Sequence, residues 1–183
     1  MTPIVVNLAG PPGVGKSTGA AKIFSDLKQM GINCELVDEY AKAKTWEKNT
    51  KALQCQEYVF GKQSYKLARC RDEVDVIVTD SPLPLGLIYN TNPALDENFT
   101  NVVMNIFNTY ENINFFINRV KPYNPKGRNQ TAEESDQLGF AIKDLYSKLG
   151  IDYIEIDGDT KGYAQAVGIV MERLLELKDR KEA

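Results

Sequence analysis

The sequence predicts an α/β fold in three layers, a five-stranded and mostly parallel sheet flanked by helices, and three observations carry that expectation. Short apolar, β-branched runs recur along the 183 residues, as strands covered on both faces require. Longer segments with helical spacing lie between them. Hydrophobic residues make up 43% and charged residues 26% of a chain long enough for one sizeable core and too short for two catalytic domains. A single domain over residues 1–183 is expected.

The elements follow in order. Pro3 to Ala9 reads as the first strand and ends in a glycine-rich stretch. Thr18 to Met30 places Ala21, Ile23, Phe24 and Leu27 on one side of a helix, with Gly31 as the capping residue beyond it. Cys34 to Val37 is the second strand, Glu57 to Cys70 the next helix, and Val74 to Thr79 the third strand. A proline- and asparagine-rich segment, Asp80 to Pro93, leads to a helix over Asn98 to Tyr110 and a strand over Asn114 to Asn118. Arg119 to Thr131 then carries two prolines, a glycine and four basic residues. Ala132 to Leu149 forms a helix stopped by Gly150, Asp152 to Ile156 the fifth strand, and Tyr163 to Leu177 the last helix, before a polar end that frays. Strict alternation implies right-handed crossovers. Both irregular segments follow strands, on the side of an open α/β sheet where ligands bind.

Composition removes several functions. A formal charge of −3 weighs against broad capture of duplex DNA, while leaving room for a local basic groove. The chain has no histidine, so a serine-histidine hydrolase is excluded and any general base is a carboxylate, lysine, tyrosine or cysteine. Cys34, Cys55 and Cys70 lack CxxC spacing and read as reduced packing thiols. The amino terminus has no basic leader region and no run reaches the roughly 20 apolar residues of a membrane helix. A cytoplasmic protein with no membrane partner is expected.

The segment Gly10-Pro11-Pro12-Gly13-Val14-Gly15-Lys16-Ser17 matches GxxxxGK[ST] in full, between a strand and a helix. Its glycines let backbone N–H groups surround phosphates, and the helix amino terminus adds partial positive charge. The expected nucleotide-binding set is Gly10, Pro12, Gly13, Val14, Gly15, Lys16, Ser17 and Thr18. Lys16 reaches the β and γ phosphates and the Ser17 hydroxyl serves Mg2+. The strand DVIVTD ends in Asp80, the expected second magnesium group; the alternative is an aspartate that caps the turn at Ser81-Pro82. The fold expectation sharpens to that of P-loop NTPases.

Within that fold, no NKxD segment is present to read guanine, ring ATPases carry a longer chain with an arginine finger, and transporter signatures are lacking. A kinase with a late basic lid remains. Arg128 ranks first and Arg119 second among lid residues that also include Lys121 and Lys126; a merely solvated basic loop is the alternative.

Val37-Asp38-Glu39-Tyr40-Ala41-Lys42, Gln56 and Gln63, the strand ending at Asp80, and YNPKGR followed by a helix and YIEIDGD together resemble the nicotinamide riboside kinase branch of P-loop kinases. The resemblance covers nearly the whole chain. Where that family has an EYAR-type segment and a DG-R-type lid, this chain has DEYAK and PKGR. The resemblance implies phosphoryl transfer from ATP with Mg2+. Phage-type kinases that phosphorylate a hydroxymethylated base within DNA, such as hydroxymethyluracil, are similar in outline, so a DNA base or strand end stands as a second acceptor class.

Asp38 or Glu39, at the end of the second strand, is the expected base for an acceptor hydroxyl, with Glu39 fitting the family motif better. The alternative is that the pair caps the next helix. Tyr40, Trp46, Gln56, Tyr58, Phe60 and Gln63 fall where an acceptor pocket forms, with Tyr89 and Asn90 as weaker members. Aromatic and amide groups of this kind suit a nucleoside-like or nucleotide acceptor. A nucleotide-dependent ATPase switch with no acceptor is the third reading.

Overall fold

The computed structural model describes residues 2–95, 97–124 and 131–182. Five strands, β1 (Ile4–Ala9), β2 (Cys34–Val37), β3 (Val76–Thr79), β4 (Glu111–Asn118) and β5 (Ile154–Asp157), form one sheet in the order β2-β3-β1-β4-β5. Every pairing is parallel. The helices are α1 (Lys16–Gln29), α2 (Tyr40–Trp46), α3 (Thr50–Gln54), α4 (Gln56–Ala68), α5 (Glu97–Phe107), α6 (Ala132–Leu149) and α7 (Thr160–Glu182), with a 3-10 segment over Leu83–Tyr89.

Because side chains alternate along a strand, β1 feeds two cores. Ile4, Val6 and Leu8 pack with Ile23 and Leu27 of α1 and with Tyr163, Val170 and Leu174 of α7. Val5 and Ala9 face the opposite layer, with Leu67 of α4, Val103 of α5, and Ile142 and Tyr146 of α6. All six β1 residues are buried, so the central strand is a fixed base for the loop that follows it. Each large apolar side chain so covered contributes about 1.5–3 kcal/mol.

The expected layers and strand count are found, with differences in detail. Between Val37 and Gln56 the chain forms two short helices, α2 and α3, where the sequence pattern predicts none. Neither has a buried residue, so the apolar periodicity that reveals a helix is absent from both. Part of the segment after Asp80 is the 3-10 turn, opened by Pro82. β4 begins at Glu111 rather than Asn114, because Asn112 and Asn114 are polar yet pair beside the buried Asn7, whose amide donates to both side-chain oxygens. The final helix runs on to Glu182 where fraying was expected. Gly31, at φ 78°, lies one residue past the Met30 cap, and Gly150, at φ 65°, closes α6.

Candidate active site

The carboxyl ends of β1, β2 and β3 bring the glycine-rich loop, Asp38, Glu39 and Asp80 to one end of the sheet. The loop after β1 adopts backbone that glycine alone takes easily, with φ of 141° at Gly10, 87° at Gly13 and 106° at Gly15. Gly15 occupies the N-cap position of α1 without any side-chain cap, and the first turn of α1 contains no acidic residue. The first N–H groups of the helix are thus left to an anion. Lys16 folds back over the loop, its Nζ 2.7 Å from the Gly10 carbonyl and 3.1 Å from that of Pro11.

A cavity of about 320 Å³ opens beside the loop, lined by Ser17, Asp38, Glu39, Lys42, Trp46 and Asp80 among others. Asp80 follows β3, is 5% exposed, and its Oδ1 has no hydrogen-bond partner. A buried carboxylate oxygen left unpaired needs a partner from outside the chain. The Ser17 hydroxyl faces the same cavity, accepting from Lys42 Nζ at 3.2 Å. Among the described residues no three acidic, cysteine or histidine side chains are grouped to hold a metal by themselves. One hydroxyl and one carboxylate suit Mg2+, which keeps waters and takes substrate phosphates as ligands.

Asp38 and Glu39 are adjacent and unlike. Burial pushes the Asp38 carboxyl up, but the Lys66 hydrogen bond and charge outweigh it and hold the group below its usual range. Lys66 Nζ lies 2.5 Å from Asp38 Oδ1. Glu39 is raised, first by burial and then by the charge of Asp80, with Lys16 pulling the other way. Tyr89 is raised by burial and by the neighbouring charge of Glu39, which puts its phenol near that carboxylate.

The donor side is buttressed from far along the chain. Tyr163 Oη donates to the Gly15 carbonyl at 3.1 Å, and a Cβ on Gly19 would lie 2.5 Å from the Tyr163 ring. Gly158, in the turn after β5, has no room for a side chain because the Val14 carbonyl occupies its position. Ser135 of α6 is fully buried and donates to the Pro12 carbonyl at 2.8 Å. Arg119 in turn donates to Ser135 Oγ at 2.6 Å and pairs with Asp136 at 2.7 Å.

Arg119 is thus bound to α6 beside the phosphate loop and does not line the cavity with Glu39. Arg128 and Lys126 lie outside the described residues, and Lys121 is exposed. Of the aromatic and amide set, Trp46 lines the cavity. Gln63 instead accepts from the Tyr40 N–H at 2.9 Å, Gln56 donates to the Leu53 carbonyl at 2.6 Å, and Phe60 packs edge-on against Phe99. Tyr40 donates to Tyr58 on the outer surface. Lys42, Ser135 and Tyr163 join the site without being among its expected members. For Lys42 its place in DEYAK was the available signal; the other two act through contacts 123 and 148 residues away, which no local pattern reports.

A family model described as AAA domain matches residues 5–162. None of the curated proteins matches the chain. Among solved structures, deoxyadenosine kinase from M. mycoides with bound dATP is similar at 16% identity and a TM-score of 0.54, covering 93% of this chain and 98% of that one. Shikimate kinase from Bacteroides thetaiotaomicron aligns over 93% of this chain and 98% of that one, at 14% identity and a TM-score of 0.45.

Proposed function

The chain belongs to the AAA domain family, and from that premise and the cavity beside its phosphate loop we propose that it is a kinase transferring the γ phosphate of ATP to a hydroxyl of a nucleoside-like or nucleotide acceptor. The observation that carries the reading is Glu39, a carboxylate with a raised pKa in a cavity shared with Ser17, Lys42 and Asp80. The cavity reaches from Ser17 and Asp80 to Trp46, which gives an acceptor room beside the phosphates. The structural neighbour's being a deoxyadenosine kinase and the DEYAK resemblance to nicotinamide riboside kinases agree with a nucleoside-like acceptor.

In this mechanism the acceptor oxygen attacks the γ phosphorus as its proton passes to Glu39, and the bond from γ phosphorus to the bridging oxygen breaks to leave ADP. Glu39 is the base because Asp38 is committed to Lys66. Lys16 and the uncapped turn of α1 hold the phosphates of the donor, and Lys42 is the cation on the acceptor side. Ser17 and Asp80 would hold Mg2+, which supplies charge neutralisation to the triphosphate. Such transfer is dissociative in character, so placement and charge matter at least as much as the base. Arg119 stands at the root of the lid on the donor side, and Arg128 is proposed to cover the transferring group.

The test is incubation with γ-labelled ATP and Mg2+ against nucleosides, nucleotides, nicotinamide riboside and hydroxymethylated DNA. Label is expected on at least one of them, and Lys16→Ala loses transfer to all. Hydrolysis with no labelled acceptor would sink the kinase reading in favour of an ATPase switch.

A further inference from the structure

The overall charge of −3 conceals a strong asymmetry. Residues 40–71 hold eight basic and two acidic side chains, a net +6, which leaves −9 for the rest of the chain. This is the segment that forms α2, α3 and α4 on the acceptor side of the cavity. Aromatic rings are exposed in the same place. Of the five large aromatic side chains exposed among the described residues, Trp46, Tyr58 and Tyr65 belong to this segment, at 69%, 40% and 68% exposure.

The two features interleave on α4. Tyr58, Lys62, Tyr65 and Arg69 are spaced four, three and four residues apart, which puts them on one stripe of a helix. All four are solvent-exposed, and Lys62 Nζ stands 5.5 Å over the Tyr58 ring. α4 is tied at two points to the segment that follows β2. Tyr40 donates to Tyr58 at 2.7 Å, and Lys66 holds Asp38. Trp46, the third exposed ring, lines the cavity itself.

We propose that this face binds single-stranded nucleic acid and that the acceptor hydroxyl belongs to a nucleotide of the bound strand. This rests on the kinase reading and names what carries its acceptor. Alternating rings and cations match alternating bases and phosphates, since unstacked bases lie on aromatic rings and cations follow the backbone. The eleven steps from Tyr58 to Arg69 span about 16 Å, and a strand with one phosphate per roughly 3.4 Å covers that length with about five nucleotides. A free mononucleotide held in the cavity would leave the stripe bare. A membrane surface fits poorly, because the stripe carries no aliphatic side chain and cannot bury an apolar face.

The experiment measures fluorescence anisotropy of a labelled single strand of about twelve nucleotides, without ATP, over a salt series. An equivalent duplex and anionic phosphatidylserine vesicles are run beside it. The single strand is expected to bind tightest, with affinity falling linearly on log–log axes of salt. Tyr65→Ala weakens binding about five- to a hundredfold, and Lys62→Glu weakens it and flattens the salt slope by about one or more. A Mg-ATP thermal shift kept by both variants shows that they fold with the donor site intact. No binding at low salt, tighter binding of duplex or vesicles, or variants that bind like the parent would overturn the proposal. The labelling assay separates the two claims. Phosphate transferred to free nucleosides as fast as to the same nucleotide in a strand leaves the kinase reading standing and removes this one. Strand binding with no transfer to any acceptor keeps the binding face and removes both the kinase reading and the acceptor assignment.

Discussion

Asp38 and Glu39 leave the same strand into different fields, one toward the Lys66 ammonium and the other toward Asp80 and Lys16. A base must be ionised to work, and a raised carboxyl keeps its proton to higher pH. We therefore expect kcat/KM to fall, as pH is lowered, through an apparent pKa above that of an ordinary glutamate, and Glu39→Gln to abolish this limb while lowering kcat by about 10²- to 10⁴-fold. Asp38→Asn is expected to cost far less, and steady-state rates from pH 4 to 9 decide between the two. Stability has the opposite sign. A folded-state pKa above the unfolded one means the protonated group favours folding and this contribution is lost as pH rises through the folded pKa. Glu39→Gln should accordingly raise the melting temperature at pH 8 and leave it nearly unchanged at pH 4, read by calorimetry. Lys42 complements the base. Because its side chain reaches Ser17 from the acceptor side, Lys42→Met should depress kcat more than it alters the apparent affinity for ATP.

The elements differ in how plainly they announce themselves. β1, α1 and the loop between them were legible because their residues answer to local rules: a buried run, a glycine pattern and a helix whose apolar side faces the sheet. The shared position of Glu39, Ser17 and Asp80 was legible for the same reason, each at a strand end or in the motif, and the three line one cavity. α2 and α3 were not, since a short helix with no buried face has no period to detect. Gln56 and Gln63 looked like ligand groups and are spent on backbone, because a buried amide takes the nearest peptide group that satisfies it. The contact between α1 and α7 escaped altogether, as a glycine that exists to admit a ring records nothing about which ring. Gly19→Ala puts a methyl into Tyr163 and is expected to cost about 1–3 kcal/mol by denaturant titration, with Gly19→Ala/Tyr163→Ala recovering part of the loss. Ser135→Ala strips a partner from both Pro12 and Arg119 and should cost about 1–3 kcal/mol, with a rise in the KM for ATP.

At the scale of the molecule, one sheet edge gathers groups from all five strand ends, so donor binding ties distant parts of the chain together. Mg-ATP at a hundredfold excess over its Kd should stabilise the protein by about 2.7 kcal/mol, seen as a higher melting temperature, and Lys16→Ala should lose most of that shift. The two-sided core explains why one edge can be given over to chemistry: β1 is buried along its whole length and holds the loop whatever occupies it.

The hydroxyl of Tyr163 on the carbonyl of Gly15 joins residues 148 positions apart. Synthesis runs from the amino terminus, so a ribosome makes the phosphate loop well before the ring that supports it. A nascent chain therefore carries every residue of the motif long before it has the supported loop, and the support arrives only when α7 emerges.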